Sequence, residues 1–539
     1  MSNYFPDLYA VLRRKVRISL LLLPLIGIGG FHDQPAFAAQ ISAKAAARLL
    51  DQTTFGPTLS LIQQVQQQGV ASWLNEQFNI PRSVLANIGP VAPAYCAETA
   101  YMCAQSEWWR VALAGKDQLR QRVAFALSEI FVVSTDDIAL TGRSIPPYVN
   151  MLAGDAFGNW STIMKDVTLS PAMGLYLNMM DSGKATDSEI ANENFARENM
   201  QLFNLGVNLL NEDGTLKLSS SGKPIPTYTE AQVQAFARVF TGWTWANANG
   251  SSPDEFIGTA NYTYPMAAVE AHHDENAKIL LNGTVLPAGQ TAEQDLDDAL
   301  TNIFEHPNLP PFVCRQLIQH LVTGDPSPGY VSRVAAVFIN DGNNVRGNMR
   351  AVLTAIFTDQ EARAGDTNPA ADGGHLREPI LWMTNVMRGL GGVNVDPNNY
   401  YFEMSYNTNL LGEEPFAAPS VFNFFPPNYV IPDTTLNSPE FALENTASVI
   451  DRLTMANTLM QNAIPSFNID LSATSTLGKL ASSPSLLVDT LGVIFMHSAM
   501  DADVRTEIIN EISGLRDAAT RVRIATYLVI TSSEYKVMH

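Results

Sequence analysis

The sequence predicts a mainly α fold: a large helical body with long ordered loops and one or two small β-hairpins. Three observations carry this. Apolar residues recur at helical spacing along most of the chain. Helix-start signatures of the capping-box type precede several of those runs. The 539 residues, 46% hydrophobic and only 16% charged, hold enough apolar mass to offset the entropy of a folded chain. No solenoid period recurs and no Gly/Ser-rich tract divides the chain, so residues 39–539 read as one helical domain with room for sub-domains.

The first element is a leader. "RRKVR", Arg13 to Arg17, is a positive region, followed by the apolar run Ile18 to Phe31 and the small residues "AFA", Ala36 to Ala38. The run is short and broken by Pro24, which disfavours a membrane span. Arg13-Arg14 lacks the flanks of twin-arginine export, so residues 1–38 read as a general secretory signal peptide. The mature protein is expected outside the cytoplasm, periplasmic or extracellular, with no membrane span after signal removal. The formal charge is -20, and removing Met1 to Ala38 takes away four basic and two acidic residues, leaving about -22. So acidic a surface argues against nucleic acid and anionic membranes.

In the mature chain, "LRQRVAFALSEIFVV" carries Leu119, Val123, Leu127 and Ile130 on one helical stripe, with Arg120 and Gln121 turned away. "ENFARENMQLFNLGV", Glu193 to Val207, reads as a helix whose outer arc holds Glu193, Asn194, Arg197, Gln201 and Asn204. Glu198 and Asn199 fall on its packed side. Thr229 with Gln232, and Thr291 with Gln294, are capping boxes that open two further helices. Asn282-Gly283 in "KILLNGTVLP" is a two-residue hairpin signal, and "GTLKLSSSGKPIPTY" is a candidate second ribbon. Irregular stretches are expected from Ala246 to Tyr264 and from Asn394 to Pro432. The aromatic residues of the latter suit an ordered loop packed on helices.

Three cysteines fit an exported protein that does not depend on disulfides. Cys96 and Cys103 would stand roughly 10 Å apart on a straight helix, too far to bridge. In a loop, which Pro93 and an oxidising compartment favour, a bridge would add roughly 2.5 kcal/mol. Cys314 reads as a packed thiol.

The polar residues that could carry chemistry form four groups. Glu198, on the packed face of its helix, needs a cationic partner. Arg238 or Arg315 is expected to supply it, and loss of Glu198 to cost about 3 kcal/mol. Arg197 and Glu193 make a solvated i,i+4 pair. "HHDENAK" brings His273, Asp274 and Lys278 together on a loop, where they could serve as acid and base or ligate a divalent cation, against a reading as loop-fixing hydrogen bonds. "CRQLIQH" offers Arg315 and His320, and His306 before Pro307 reads as a turn residue. "HLREP" offers Arg377 and Glu378 at a helix start, where the helix dipole alone would favour the acid. The chain has no zinc spacing, nucleophile elbow, Walker loop or dinucleotide fingerprint.

"RLLDQTTFGPT", "DQLRQRVAFALSEIFVVS", "ENFARENMQLFNLG", "PTYTEAQVQAFARVFTGW", "HHDENAKILLNG", "LREP" and "APSVFNFFPP" occur in this order. Together they resemble the bacterial family called domain of unknown function 1800, over nearly all of the chain from about Ile41. The resemblance implies an exported, largely helical protein without an established activity. It also implies a working partnership with a second exported family resembling sulfatases and phosphatases. It carries Glu193, Asn194, Arg197, Glu198, His273, Asp274, Lys278, Arg315, Arg377 and Glu378 onto this chain. Asn199 departs from the family, which has an apolar residue there.

Two readings follow. The first, which the sequence favours, is a non-catalytic scaffold or binding partner of an exported sulfatase- or phosphatase-like protein. The second is an exported hydrolase or lyase acting on a sugar, sulfated or phosphorylated polymer. In it, Glu198, Arg197, His273, Asp274 and Lys278 converge with Arg238 and Arg315, with a divalent cation as the one cofactor the set would take. Water-filled geometry around those groups would mark the enzyme, and complete pairing the scaffold.

Overall fold

Helix starts lie where the caps were expected. Thr229 accepts the Gln232 N–H while the Gln232 side chain accepts the Thr229 N–H, opening the Glu230–Val239 helix. Thr291 and Gln294 do the same for Ala292–Phe304. A computed structural model describes residues 41–89, 100–137, 140–187, 189–368, 373–394, 402–464, 467–497 and 499–539. The expected leader and Cys96 lie outside the described residues. Ala39–His539 forms one compact unit, and no described helix is long and apolar enough to cross a membrane.

The fold is mainly α, with small antiparallel two-stranded pairs among its helices. One contiguous apolar core runs from the Ala43–Thr53 helix to Met538 near the C-terminus. The Leu309–Leu321 helix packs on Gln118–Ile130 and Pro328–Ile339, while Pro484–Met496 packs on Ala518–Thr531 and on the first helix. The Asn282-Gly283 hairpin is present. Lys278 pairs with Leu286 and Ile279 with Val285, and Asn282 and Gly283 have φ of 55° and 74°, which that turn requires. The second ribbon forms as isolated bridges, Asn208 to Pro226, Leu210 to Leu216 and Leu218 to Pro224.

Three expectations need correction. The stretch from Asn394 to Pro432 contains the Phe402–Asn409 helix, whose sequence shows little apolar periodicity. Gln121 is buried and not turned to water, because its amide donates to Asp117 and to the Ser83 carbonyl. The helix of "ENFARENMQLFNLGV" is α only over Asn194–Glu198 and continues as a π-helix over Asn199–Asn204. In the wider turn residues five apart stack, so the Asn204 amide donates to the Asn199 side chain (2.6 Å) and carbonyl (2.9 Å). Asn204 then accepts from the Trp160 indole at 3.0 Å. Asn204 is therefore fully buried, and it matches the oxygens of Asn199, whose own amide nitrogen is buried without a partner.

The two ends of the chain meet at a buried ion pair. Arg377 grips Asp51 through both guanidinium nitrogens, at 2.7 and 2.8 Å, and Asn385 donates to the same carboxylate at 2.7 Å. His497 Nε2 lies 3.0 Å away. Tyr535 lies under the guanidinium, 4.8 Å from its ring centre, and donates to Asn385. The backbone bond from Arg377 N–H to the Lys536 carbonyl, and the pairing of His375 with Met538, tie the C-terminus to this segment. Burial alone would push the Asp51 carboxyl up, but Arg377 and His497 outweigh it and hold it well below the usual range.

Replacing Asp51 with Asn should cost about 3–5 kcal/mol by stranding Arg377 in the core. A carboxyl depressed in the folded state stabilises above its unfolded value of about 3.9 and ceases to do so as pH falls. Denaturant unfolding of wild type and Asp51→Asn should therefore show a gap that is widest near neutral pH and shrinks below about pH 4. A gap constant with pH would count against the assignment.

Candidate functional site

The expected polar centre divides into two separate structures. Arg197 sits at the surface, paired with Glu193 (2.9 Å) and with Glu230 at the start of the Glu230–Val239 helix (2.8 Å). Asn194 donates to the exposed Asn178. Glu198 is buried as expected, but neither Arg238 nor Arg315 reaches it, and its Oε2 has no hydrogen-bond partner. Burial pushes its carboxyl up, and Arg197 offsets this only in part.

The "HHDENAK" loop folds around a residue that the sequence reading left out, Asp295. Its carboxylate takes the Lys278 ammonium and lies 3.0 Å from His273 Nε2, and all three side chains are buried. Lys278 also donates to the carbonyls of Asp274 and Asn276, so its three protons all have acceptors. His273 Nδ1 faces the Thr241 carbonyl at 3.0 Å. Asp274 is held by a two-toothed pair with Arg238 (2.8 and 3.0 Å), which outweighs burial and lowers its carboxyl below the usual range. Arg238 and Glu230 lie at opposite ends of one helix, about 12 Å apart along its axis. Among the described residues no hydrogen bond or ion pair joins Glu198 or Arg197 to this loop. The expected convergence is not formed: the loop bonds instead to Asp295, Arg238 and Thr241, and one Asp295 oxygen is left without a partner.

An unsaturated centre lies elsewhere. Glu129 ends the Gln118–Ile130 helix, Glu378 precedes the Pro379–Gly389 helix, and Glu413 follows the Phe402–Asn409 helix. All three are buried, and one oxygen from each lies within 4.8 Å of the others. Burial first, then the Glu129 charge, pushes Glu378 and Glu413 well above the carboxylate range. Glu413 accepts the Ile380 N–H at 2.8 Å through one oxygen, and its other oxygen is buried without a partner. Two histidines flank the group. His320 Nδ1 is 3.2 Å from Glu129 Oε2, and His375 Nδ1 is 2.9 Å from Glu440 Oε1. The Glu129 oxygen and both His375 nitrogens nevertheless lack aligned hydrogen bonds. Buried polar groups left without aligned partners are the places where ordered water or an ion is held. Arg122, fully buried, gives one bond to the His320 carbonyl and leaves Nε and Nη1 unused.

One side of this centre opens. A cavity of about 30 Å³, enough for a water or two, is lined by Glu129, Glu440, His320, Gln316, Gln319 and Phe425. Its outer wall is the aromatic loop, fixed by the bonds from Ser134 to the Ala418 carbonyl (2.6 Å) and from Thr135 N–H to the Phe416 carbonyl (2.8 Å). Phe416 has φ of 63°, a strained conformation for a bulky side chain beside a site.

The sequence reading had named Arg377 and Glu378, and the structure sends them to different places, Arg377 to Asp51 and Glu378 to the carboxylates. Burial makes the helix dipole an insufficient account of Glu378. Glu129, Glu413, Glu440, His375 and Arg122 were missed. One signal was available: Arg122 and Glu129, seven residues apart, share a line beside the apolar stripe of their helix. Arg315 is half-buried beside a surface groove, and His306 accepts the Asn308 N–H as a turn residue. Burial lowers His306 to about 4. Cys314 is free and buried, whereas Cys103 is disulfide-bonded.

A family model described as "Protein of unknown function (DUF1800)" matches residues 48–537. No curated protein and no solved structure matches the chain.

The two original groups should respond oppositely to neutralisation. Asp295→Asn should cost about 3–5 kcal/mol in chemical denaturation, because Lys278 loses its counter-charge in the core. Glu198→Gln should leave the melting temperature unchanged or higher at pH 7, since a carboxyl raised by burial penalises the fold when ionised. A loss of several degrees in Glu198→Gln would show that an ion pair had been broken.

Proposed function

We propose that this chain, which belongs to the DUF1800 family, is a hydrolase assisted by a divalent cation held between Glu129, Glu378 and Glu413. The observation that carries this reading is the approach of three buried carboxylates to within 4.8 Å. Like charges so close and so dry need protons or a cation. With Glu440 the group has four carboxylates, and the guanidinium groups facing it are Arg122 and Arg452. Fully ionised, the group would carry two excess negative charges, which one divalent ion would neutralise in place of the protons that burial favours on Glu378 and Glu413. Carboxylates sent inward from separate helices are also how helical metal carboxylate proteins hold their ions, with His375 as the one nearby imidazole not assigned to proton transfer. Such a mixed oxygen and nitrogen set suits Mn²⁺, Fe²⁺ or Zn²⁺.

When bound, the cation would polarise the scissile group and acidify water. The protein's part is position. Glu413, braced by the Ile380 N–H, and Glu378 fix the inner side, with Arg452 offsetting the charge of the first and Arg122 that of the second. His320, at the wall of the cavity, is the residue placed to take a proton from water there. The expectation of export and of an exported sulfatase- or phosphatase-like partner rests on the leader and the family resemblance, and we retain it as part of the proposal. A scaffold role is favoured for the Lys278–Asp295–His273 cluster, whose ammonium is fully bonded.

Metal analysis of protein purified without chelator should give about one divalent ion per chain, as the excess charge requires. Glu129→Gln and Glu413→Gln should lose it, and Asp295→Asn should keep it. In chelator, Glu413→Gln should melt above wild type because repulsion is relieved, and with metal restored the order should reverse. No bound metal, together with no thermal shift on adding Mn²⁺, Fe²⁺ or Zn²⁺, would overturn the proposal.

A further inference from the structure

The surface carries a groove whose lining continues into the carboxylate centre. It runs between the bridged ribbon of residues 208–226 and the Leu309–Leu321 helix, with a volume of about 210 Å³. Val207, Leu210, Leu216 and Phe312 make it apolar, and Val207 and Leu216 are half exposed. Gly206 is required there: its φ is 75°, and a Cβ would stand 2.7 Å from the Phe312 ring. Gln316, Gln319 and Pro427 line both the groove and the cavity at Glu129 and His320. The shared wall is one helical face, on which Phe312, Gln316 and His320 recur at four-residue steps.

Arg315 stands in the groove. It makes no hydrogen bond or ion pair among the described residues, in a chain of net charge -20. Arg333 and Arg505, by contrast, are committed to Asp359 and Asp489, and Arg315 differs from the other arginines unpaired among the described residues, such as the exposed Arg516, in lining an apolar groove. An uncommitted guanidinium over an apolar floor is complementary to an anion that carries an apolar body.

We propose that this groove binds an amphipathic anion, its acidic head on Arg315 and its apolar body along Phe312 and Leu216, as the substrate-holding arm of the centre above. The inference rests on the proposed catalytic centre for its meaning, though not for its test. Arg315 and His320 are five residues apart, about 8 Å along the helix axis. They also point about 140° apart around that axis, so the substrate is a small molecule whose acidic group lies more than about 8 Å from the bond to be cleaved. This differs from the sulfated or phosphorylated polymer expected from the sequence, for which a single cation beside an apolar floor is a poor match.

The test compares two dyes of like ring system on the intact mature protein, anionic anilinonaphthalene sulfonate and neutral phenylnaphthylamine. The anionic dye should bind more tightly, and Arg315→Gln should weaken it about tenfold while leaving the neutral dye unchanged, as loss of a charge-assisted bond requires. Leu216→Asp should weaken both. Octanoate and octyl sulfate, tested as competitors, tell whether the head is a carboxylate or a sulfate. Equal binding of the two dyes, or an unaltered affinity in Arg315→Gln with an unchanged melting temperature, overturns the proposal. Glu129→Gln should bind the anionic dye normally, so failure of the metal reading would show in metal content and not in this assay.

Discussion

The bidentate pair of Arg377 with Asp51 is the interaction on which the rest of this fold depends. It is buried on both sides, and it joins the first helix of the described chain to a segment more than three hundred residues later. Neither charge could be left alone in the core. The pair therefore fixes the register of the extended segment His375–Leu376 against the C-terminal strand and sets where the Pro379–Gly389 helix begins. Glu378, one residue on, is delivered to the carboxylate centre by that placement. A structural ion pair and a candidate ligand are thus neighbours in sequence because the first positions the second.

The two polar centres of the protein obey the same electrostatics with opposite results. Around Lys278, every donor has an acceptor, and the positive and negative groups are interleaved. Around Glu413, acids outnumber bases, and two carboxylate oxygens, two ring nitrogens and two guanidinium positions have no aligned partner. A fold selected for stability alone has little reason to keep the second arrangement, since burying like charges costs more than apolar packing would. The balance of charge marks the first as structural, although one oxygen of Asp295 is left without a partner. Excess negative charge beside a small cavity marks the second as a site for a guest.

The helical fold was legible because it rests on local signals: apolar spacing, the Thr229 and Thr291 capping boxes, and Asn282-Gly283. Burial of Glu198 was legible for the same reason, from its angle on its own helix. The assumption of 100° per residue failed after Glu198, where Asn199 and Asn204 bond in a π-turn, so Asn204 was placed on the wrong side. The ligand-like centre was hidden by its construction. Glu129, Glu378, Glu413 and Glu440 come from four segments, each supplying one acid with no spacing motif, and only the tertiary fold makes them neighbours. The "HHDENAK" loop misled for the converse reason, since its residues are dense in sequence but are tied to Asp295, Arg238 and Thr241 and not to Glu198.

Why the aromatic loop is held so rigidly follows from the same geometry. Asn423, in the left-handed region, lies 3.3 Å from Glu129 through its amide, and Phe425 and Pro427 close the cavity. A loop free to move would let water surround the four carboxylates, raise the local dielectric and dilute the field that favours a cation. Anchoring through Ser134 and Thr135 instead keeps the centre dry except along the helix face from Phe312 to His320. The cavity and the groove that holds Arg315 share Gln316, Gln319 and Pro427 as a common wall. The side that excludes water and the side that admits a ligand are two consequences of one packing arrangement, the Leu309–Leu321 helix lying between the groove and the core.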